Sequence, residues 1–316
     1  MASRSQPTRE ASGPAATART SPIAAKGRPA PRTTASATAK ARRVPVVIVG
    51  AGRLGGALAL ALQAKRWTVR VYSRDAAGNE RTRALGLKPA TPADLKKARV
   101  CVLCVPDAAV PSVSEALSRE LPRTVALVHT AGALPLSALG TQRGRAVGSF
   151  HPLCAVSSAR DSLAGHTAAI STRSPSLRAV LQRMAEDVGF AMFDVPETHR
   201  AAYHAGAVLS AGGLVALADA AVGALGAAGI DREAALKALL PLMRSALRGI
   251  EARGLSGGLT GPIVRGDAGV VAAHLAALPS DIAPLYAQLS RRALRLASER
   301  LGPEPRAELE TLLAKK

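Results

Sequence analysis

Short apolar runs alternate with helix-like stretches over the first two thirds of the chain. Residues 46–49, 68–72 and 125–128 have the length and composition of strands, and further apolar runs end at residues 150, 170 and 193. Residues 100–105 are apolar throughout, which is typical of a parallel strand buried on both faces. Helical spacing of apolar residues predicts helices at 54–65, 80–85 and 108–121. This alternation predicts an α/β fold with a doubly wound parallel sheet.

The pattern changes after residue 196. From there to residue 314 almost every segment is helical in period, with Pro and Gly between segments. Residues 201–230 form an apolar stretch long enough to be mistaken for a membrane span. The stretch also contains the polar His204 and Asp219 and many Gly and Ala residues. These favour instead a helix buried between other helices, and one interpretation places that helix at a subunit interface.

A glycine-rich turn follows the first predicted strand and leads directly into the first predicted helix. In Gly50-x-Gly52-x-x-Gly55, the first glycine permits a tight turn, the second lets the backbone approach a pyrophosphate, and the third lets the helix pack on the strand. The sequence therefore predicts a dinucleotide site. Its contacts in this turn are Gly50, Ala51, Gly52, Arg53, Leu54 and Gly55.

The end of the second predicted strand indicates which dinucleotide binds. An Asp or Glu there usually accepts a hydrogen bond from the ribose of NAD, whereas this chain has Ser73 and Arg74 about 20 residues after the glycines. Arg74 can make a forked contact with a 2′-phosphate, so the prediction is NADP. In the alternative reading, Arg74 is a solvated loop residue and Asp75 contacts the ribose.

Composition limits the other classes of function. The 316 residues have a formal charge of +20, and residues 1–43 carry nine Lys or Arg against the single acid Glu10. This segment resembles a transit peptide in composition, but a disordered basic tail is the preferred interpretation. Aromatic residues make up 2% of the chain, which leaves little for stacking on bases, so specific nucleic-acid binding is not expected. A DNA-associated protein remains a distant alternative.

Three cysteines do not form a disulfide framework, which fits a reducing cytoplasm. Cys101 and Cys104 would face opposite sides of a strand, and no second pair or suitable histidine spacing accompanies them. We therefore expect no metal site and read both as core residues.

Residues at the carboxyl ends of the later strands are candidates for the nicotinamide side of the site, because ligands bind at that edge of an open α/β sheet. His151 follows an apolar run and can position or protonate a substrate carbonyl, or it is a structural loop histidine. The predicted cofactor contacts at this edge are Val105, Pro106, Asp107, Thr130 and Gly132.

Two groups in the helical region are candidates for chemistry. Arg200, Tyr203 and His204 share one helix face at i, i+3 and i+4, so Arg200 can hold a carboxylate and His204 can donate a proton; the alternative is a polar first turn facing solvent. In residues 259–267, Arg265 and Asp267 either form a pair that fixes a loop or belong to a loop that closes over the ligands.

These motifs, with His274, resemble a bacterial family that joins a Rossmann-like NAD(P)-binding domain to a helical C-terminal domain of unknown function. It is similar to 6-phosphogluconate dehydrogenase-like proteins, among them pyrroline-5-carboxylate and ketopantoate reductases, and some members act as alternative ketopantoate reductases. The resemblance covers about residues 44–290. With the composition and the change of pattern, it predicts a disordered basic tail at 1–43, a Rossmann domain at 44–195, and a helical substrate and dimerisation domain at 196–316.

The chain departs from this family at two positions. Arg200 stands where relatives tend to carry Lys, and Gly212 where they tend to carry Asn. Arg holds its proton too tightly to be a good general acid. The resemblance implies an NADPH-dependent reductase of a small 2-keto acid such as ketopantoate, or of a cyclic imine. In that reading Arg200 or Arg265 holds the carboxylate and His204 or His151 supplies the proton. The alternative is a non-catalytic NADP-binding sensor or scaffold.

Overall fold

The computed structural model describes residues 43–314. The predicted basic tail therefore lies outside the described residues, except for Arg43. One sheet holds seven strands: β1 (Val46–Val49), β2 (Val69–Tyr72), β3 (Val100–Leu103), β4 (Ala126–His129), β5 (Val147–Leu153), β6 (Thr167–Thr172) and β7 (Ala191–Phe193).

The strands lie in the order β2-β1-β3-β4-β5-β6-β7. All neighbours are parallel except β5 and β6, which pair antiparallel from Gly148 opposite Thr172 to Leu153 opposite Thr167. The prediction of an α/β fold with a doubly wound parallel sheet is confirmed, and the sheet carries one antiparallel pair that the sequence did not indicate. The crossover from β1 to β3 places the carboxyl ends of β1, β3 and β4 side by side, where such folds bind ligands.

Helices cover both faces of the sheet, as expected of a doubly wound fold. Ile48 belongs to the core on one face, and its neighbours Val47 and Val49 belong to the core on the other. The helices of this part are α1 (Arg53–Ala64), α2 (Ala76–Ala84), α3 (Pro92–Lys97), α4 (Val110–Glu120) and α5 (Pro175–Val188).

Side-chain caps fix two helices that hydrophobic spacing did not define. The Asp75 carboxylate accepts a hydrogen bond from Gly78 N at 2.6 Å, so α2 begins at Ala76 rather than at residue 80. Helix α3 was not predicted. Thr91 Oγ1 accepts from Asp94 N at 3.2 Å, and Asp94 Oδ2 accepts from Thr91 N at 2.8 Å, which is a capping box.

The region after β7 is helical, as predicted. Its helices are α6 (Arg200–Ser210), α7 (Gly212–Ala227), α8 (Arg232–Gly258), α9 (Pro262–Arg265), α10 (Ala268–Ala277), α11 (Ala283–Ala297) and α12 (Pro303–Ala314). Within α8, Gly254 leaves the helical conformation at φ 70°. Helices α9–α12 share a small core of their own around Val271, Ala287 and Leu309.

The long apolar stretch differs from its prediction. It forms two helices rather than one, because Ala211 (φ −106°, ψ −75°) breaks the helical conformation between α6 and α7. It is also not buried between helices. Glu197–Ala227 is the one segment of the described residues long and apolar enough to cross a membrane, and only 6% of its most apolar window is buried. Leu209 and Val215 are 74% and 70% exposed.

Candidate active site

The glycine turn after β1 has the geometry that its sequence predicts. Gly50 has φ 111°, and a Cβ there would lie 2.4 Å from the carbonyl oxygen of Cys104, just past β3. A Cβ at Gly55 would lie 2.1 Å from the Gly50 carbonyl oxygen, so this glycine lets α1 pack on the turn. A Cβ at Gly52 would meet nothing within 4 Å. The open space at Gly52 is where a pyrophosphate can approach the backbone.

The amino end of α1 is suited to an anion. Gly52 is the N-cap and offers no side chain to the free N–H groups, and the first turn contains no acidic residue. The exposed Arg53 and the half-buried Leu54 lie in that turn, and Ala51 is buried beneath it. Unpaired N–H groups and the helix dipole both favour negative charge at this point.

A cavity of about 280 Å³, which we call the adenosine-side cavity, lies beside this turn, between the ends of β1, β2 and β3 and the side of α4. Its lining includes Ser73, Arg74 and Arg81 as well as Val105 and Pro106. The size and the mixture of apolar walls with a cationic rim fit part of an adenosine phosphate.

Asp75 Oδ1 accepts the hydrogen bond from Gly78 N that caps α2, and Asp75 also lines this cavity. By contrast, the Ser73 hydroxyl oxygen is buried and has no hydrogen-bond partner in the described residues. An orphaned hydroxyl beside two arginines fits a phosphate-bearing ribose better than a plain diol.

The loop after β4 faces the other part of the sheet edge. Thr130 Oγ1 donates to the Leu103 carbonyl oxygen at 3.1 Å, which fixes this loop to the end of β3. A Cβ at Gly132 would lie 2.4 Å from His204 Nδ1 and 2.8 Å from His151 Nε2. Gly132 therefore lets two imidazoles approach the loop backbone. Asp107 begins a short 3-10 helix and is exposed, outside the lining of the adenosine-side cavity.

His151, Tyr203 and His204 form an aromatic cluster at this edge. His151 lies inside β5 rather than after it, two residues beyond the last β4–β5 pair, His129–Ser149. Its Nδ1 is 2.6 Å from the Tyr203 hydroxyl on α6. The ring centroids of His151 and His204 are 5.8 Å apart, and His204 Nδ1 is buried without a partner among the described residues.

The environment sets the protonation of this cluster. Burial, with His204 and Arg200 nearby, lowers the pKa of His151 to about 4, so its imidazole is neutral at pH 7. Burial raises the pKa of Tyr203, so its hydroxyl keeps its proton. When Tyr203 donates to Nδ1, the remaining hydrogen of His151 is on Nε2, the nitrogen that faces Gly132. The pair can then present an N–H donor to a carbonyl oxygen or imine nitrogen.

Arg200 does not have the role that its sequence position suggested. Its side chain is only 1% exposed, so it is neither a solvent-facing first turn nor free to hold a carboxylate. Nε donates to Glu197 Oε1 at 2.9 Å, and the other guanidinium nitrogens contact Ser149 Oγ and the Gly132 carbonyl oxygen. Arg200 instead ties the start of α6 to the ends of β4 and β5. It thereby fixes Tyr203 and His204, one turn further along.

A second cavity, of about 960 Å³, opens in front of the aromatic cluster. Its walls come from the end of β5, from β7 and from α6 and α7. The walls are mainly apolar. The polar side chains among them are His151, Cys154, His166, Tyr203, His204 and Ser210. The rest of the lining consists of small and apolar residues: Pro152, Leu153, Ala155, Phe193, Gly206, Ala207, Val208, Ala211, Gly212, Leu214 and Val215. We call it the substrate cavity.

The motif at residues 259–267 lies away from this cavity in the same chain. Arg265 ends α9, is 61% exposed, and is ion-paired with Asp267 at 2.8 Å. It is not among the residues that line the substrate cavity. The pairing supports the reading in which Arg265 and Asp267 fix a loop. His274 on α10 bonds the Tyr286 hydroxyl on α11 at 2.8 Å, a second His–Tyr pair.

Three residues of these cavities escaped sequence reasoning. Arg81 lies on α2 beside the same cavity as Arg74. The two arginines are seven residues apart in the sequence, a spacing too long for a turn motif. Phe193 packs its ring on Tyr203 with centroids 5.7 Å apart, and His166 lines the same cavity. Both depend on the antiparallel turn from β5 to β6, which the sequence did not indicate.

The cysteines agree with their predicted core role. Cys101 is buried in the core on one face of the sheet, and Cys104 packs against the core on the other. Burial raises the pKa of both thiols to about 12, so neither is a reactive thiolate. Within residues 43–314 no group of His, Cys, Asp or Glu has the arrangement of a metal site.

The sheet order and the glycine turn define a Rossmann-like fold with a helical C-terminal region. Family comparison agrees: residues 30–152 match a Rossmann-like domain, and residues 166–293 match the domain of unknown function DUF2520. The chain thus carries a match to a Rossmann-like domain followed by a match to a DUF2520 domain. A search of curated proteins found no significant match to the sequence.

Solved structures share this architecture. A Bacteroides fragilis protein described as a candidate NADP oxidoreductase is 25% identical, with a TM-score of 0.66 over 80% of this chain and 98% of its own. A Thermotoga maritima protein is also 25% identical, with a TM-score of 0.65 over 81% and 100%. The reductive aminase of Aspergillus terreus, solved with NADPH, cyclohexanone and allyl amine, shares the fold at 18% identity and a TM-score of 0.54, over 85% and 99%.

Proposed function

We propose that this protein is an NADPH-dependent reductase of the C=O or C=N bond of a small molecule. The observation that carries the proposal is the neutral His151–Tyr203 pair, which lies against Gly132 at the same sheet edge as the Gly50–Gly55 turn. The similarity to a candidate NADP oxidoreductase and to an NADPH-bound reductive aminase supports the same class.

NADP is the preferred cofactor. Gly52 and the amino end of α1 would receive the pyrophosphate, and Ser73, Arg74 and Arg81 would receive the 2′-phosphate. When bound, NADPH supplies a hydride with its electron pair. The predicted contacts Val105, Pro106, Thr130 and Gly132 lie along the edge between the adenosine-side cavity and the aromatic cluster.

The chain's own residues supply the proton. His151 Nε2–H donates to the substrate oxygen or nitrogen, and Tyr203 replaces that proton through Nδ1. His204 lies beside His151 and can bind the same polar atom. Arg200 and Glu197 keep α6, and hence both aromatic groups, in register with β5.

A 2-keto acid such as ketopantoate and a cyclic imine are both substrates of this reaction type. Gly212 lines the substrate cavity, and a Cβ there would meet only Val208 Cγ1, at 4.0 Å. Relatives tend to carry Asn at this position, whereas Gly212 leaves open space in the cavity and no hydrogen-bonding side chain. In this chain the proton would therefore come from the aromatic cluster.

The proposal is tested by following the oxidation of NADPH and of NADH with a panel of ketones, keto acids and cyclic imines. We expect turnover with at least one carbonyl compound or imine and a preference for NADPH. A protein that binds NADPH but reduces none of them would contradict the proposal and favour the non-catalytic sensor.

We further propose that two copies associate through α6, α7 and α8 in the cytoplasm. Large apolar side chains outside the substrate cavity are exposed on all three helices, among them Leu209, Leu217, Leu242 and Leu255. Contiguous exposure of this kind marks an interface. A second copy suits the surface better than a membrane, since Arg200 and Tyr203 bond the start of α6 to the sheet. Light scattering of the protein and of Leu209→Glu tests this: we expect a dimer and a monomer, respectively.

A further inference from the structure

The charge of the substrate cavity differs from what a carboxylate substrate requires. None of its lining residues is Lys, Arg, Asp or Glu. Its polar groups are imidazoles, hydroxyls and one thiol, and most of its wall is apolar. A site for a keto acid normally offers a cation or several N–H groups to the carboxylate.

The two arginines expected to fill that need are committed elsewhere. The Arg200 guanidinium lies beneath the cavity wall, where it contacts Glu197, Ser149 Oγ and the Gly132 carbonyl oxygen. Rotating it into the cavity would break the ion pair with Glu197 Oε1 and the contact with Ser149 Oγ. Arg265 is ion-paired with Asp267 on α9 and does not line the cavity of its own chain.

His151 does not replace these cations. The low pKa of His151, about 4, keeps it neutral throughout the physiological range. An uncharged N–H donor suits a carbonyl oxygen. Transferring a carboxylate from water into an apolar wall without a cation is strongly unfavourable, since an unpaired buried charge costs several kcal/mol.

From this lining we propose that the substrate is uncharged at its reacting end: a ketone, aldehyde or imine with aliphatic or alicyclic substituents and no carboxylate. This inference rests on the proposed reductase function and narrows its substrate class. The cavity volume of about 960 Å³ is at the upper end of the roughly 300–1,000 Å³ of small-molecule sites, so bulky apolar substituents fit.

The reaction is then a simple reduction. The hydride and its electron pair from NADPH form a new C–H bond, the π bond of C=O or C=N breaks, and His151 Nε2–H protonates the oxygen or nitrogen. NADP⁺ and an uncharged alcohol, or an amine, leave. The Tyr203 proton moves to His151 Nδ1 as Nε2 loses its own, and it returns to Tyr203 when Nε2 takes a proton from solvent, which restores the starting tautomer.

A matched pair of compounds tests the inference. 3-Methyl-2-butanone and 3-methyl-2-oxobutanoate share the isopropyl ketone group and differ by a methyl group in place of a carboxylate. We expect kcat/KM with NADPH to be at least about tenfold higher for the ketone, one tenfold step being about 1.4 kcal/mol. Isothermal titration of both compounds into the NADP-loaded protein measures the same preference without turnover.

Equal or tighter binding of the keto acid would overturn the inference. If Arg265→Ala then removed that binding, the cation would be traced to a second copy of the chain. If no compound were reduced but titration still favoured the ketone, the reductase proposal would fail and the uncharged character of the cavity would stand.

A variant with an added cation sharpens the test. Leu214 lines the cavity, so Leu214→Arg should shift the preference toward the keto acid by about tenfold, the size of one added ion contact. Leu214→Gln, polar but neutral, is the control and should leave the ratio near that of the natural protein. A ratio unchanged by Leu214→Arg would overturn the assignment of this cavity to the substrate.

Discussion

The two halves of the candidate site are built in different ways. The cofactor half is local in sequence: Gly50, Gly52 and Gly55 lie within six residues, and Ser73 and Arg74 follow one strand later. The substrate half joins β5, β7 and α6, so that His151 and Tyr203, separated by 52 residues, come within 2.6 Å. A local motif carries its function in its spacing, whereas a long-range cluster depends on the buried contacts that align its elements.

The largest effects are expected from two glycine variants in the cofactor half, one of which should disturb packing and the other only ligand binding. Gly55→Ala places a Cβ 2.1 Å from the Gly50 carbonyl oxygen, so we expect destabilisation of about 3 kcal/mol, the upper range for overpacking, with loss of NADPH binding. Gly52→Ala meets open space and should keep the melting temperature while weakening NADPH binding. Thermal melts and titrations of both variants measure this. Equal melting temperatures would contradict the account of Gly55.

In the substrate half the comparable effect comes from the buried ion pair. Arg200→Met removes the partner of the Ser149 hydroxyl and of Glu197 Oε1, while Glu197 Oε2 keeps its bond from Leu136 N. We expect a cost of about 3 kcal/mol of unfolding free energy, the lower end for breaking a buried pair. Arg265→Met, in the exposed pair with Asp267, should cost less than about 1 kcal/mol. Urea unfolding distinguishes the two. Similar losses would show that Arg200 is not the structural anchor described here.

Removal of one hydroxyl tests proton delivery. Tyr203→Phe should lower kcat by about 100-fold, the lower range for general acid catalysis, with little change in melting temperature. Tyr286→Phe is a matched control, because Tyr286 bonds His274 in the same way but outside the substrate cavity. If both variants kept full activity, Tyr203 would have no role in proton supply.

The choice between NADPH and NADH should depend on two exposed arginines. Arg74→Ala and Arg81→Ala should each weaken NADPH binding by about tenfold, the value of one charged hydrogen bond, and leave NADH binding nearly unchanged. Arg83→Ala, on the same helix but outside the cavity lining, is the control. Equal losses for NADH and NADPH would contradict recognition of the 2′-phosphate.

The last effect is spread over a range of conditions: a pH dependence of stability. Burial lowers the pKa of both His129 and His151 from 6.5 to about 4, so the unfolded chain binds more protons between these values. Stability should be fully present above pH 6.5 and fall as the pH falls toward 4. Melting temperatures across this range measure the slope, and His129→Gln with His151→Gln should flatten it.

The same contrast explains what the sequence could predict. Strand β1, the glycine turn and the start of α1 were predicted closely, because tight turns and buried strands leave strong local patterns. Helix α3 was missed because its capping box was overlooked. The role of Arg200 was mistaken because helical spacing gives a shared face but not what that face meets. The partners of Arg200, Ser149 and Gly132, lie about 50 and 70 residues away.

The exposure of α6 and α7 follows the same rule. Their apolar composition indicated burial, and the described chain shows exposed faces instead. An apolar composition indicates that a surface is buried, but it does not indicate whether the same chain or a second copy buries it.

The most direct test of the central claim is isotope transfer. NADPH deuterated at the transferable nicotinamide position is incubated with the protein and 3-methyl-2-butanone, and the product is analysed by mass spectrometry. The account predicts 3-methyl-2-butanol carrying one deuterium on the former carbonyl carbon, with transfer strongly reduced in Tyr203→Phe. If the keto acid accepts deuterium and the ketone does not, or if neither does while NADPH binds, the account is contradicted.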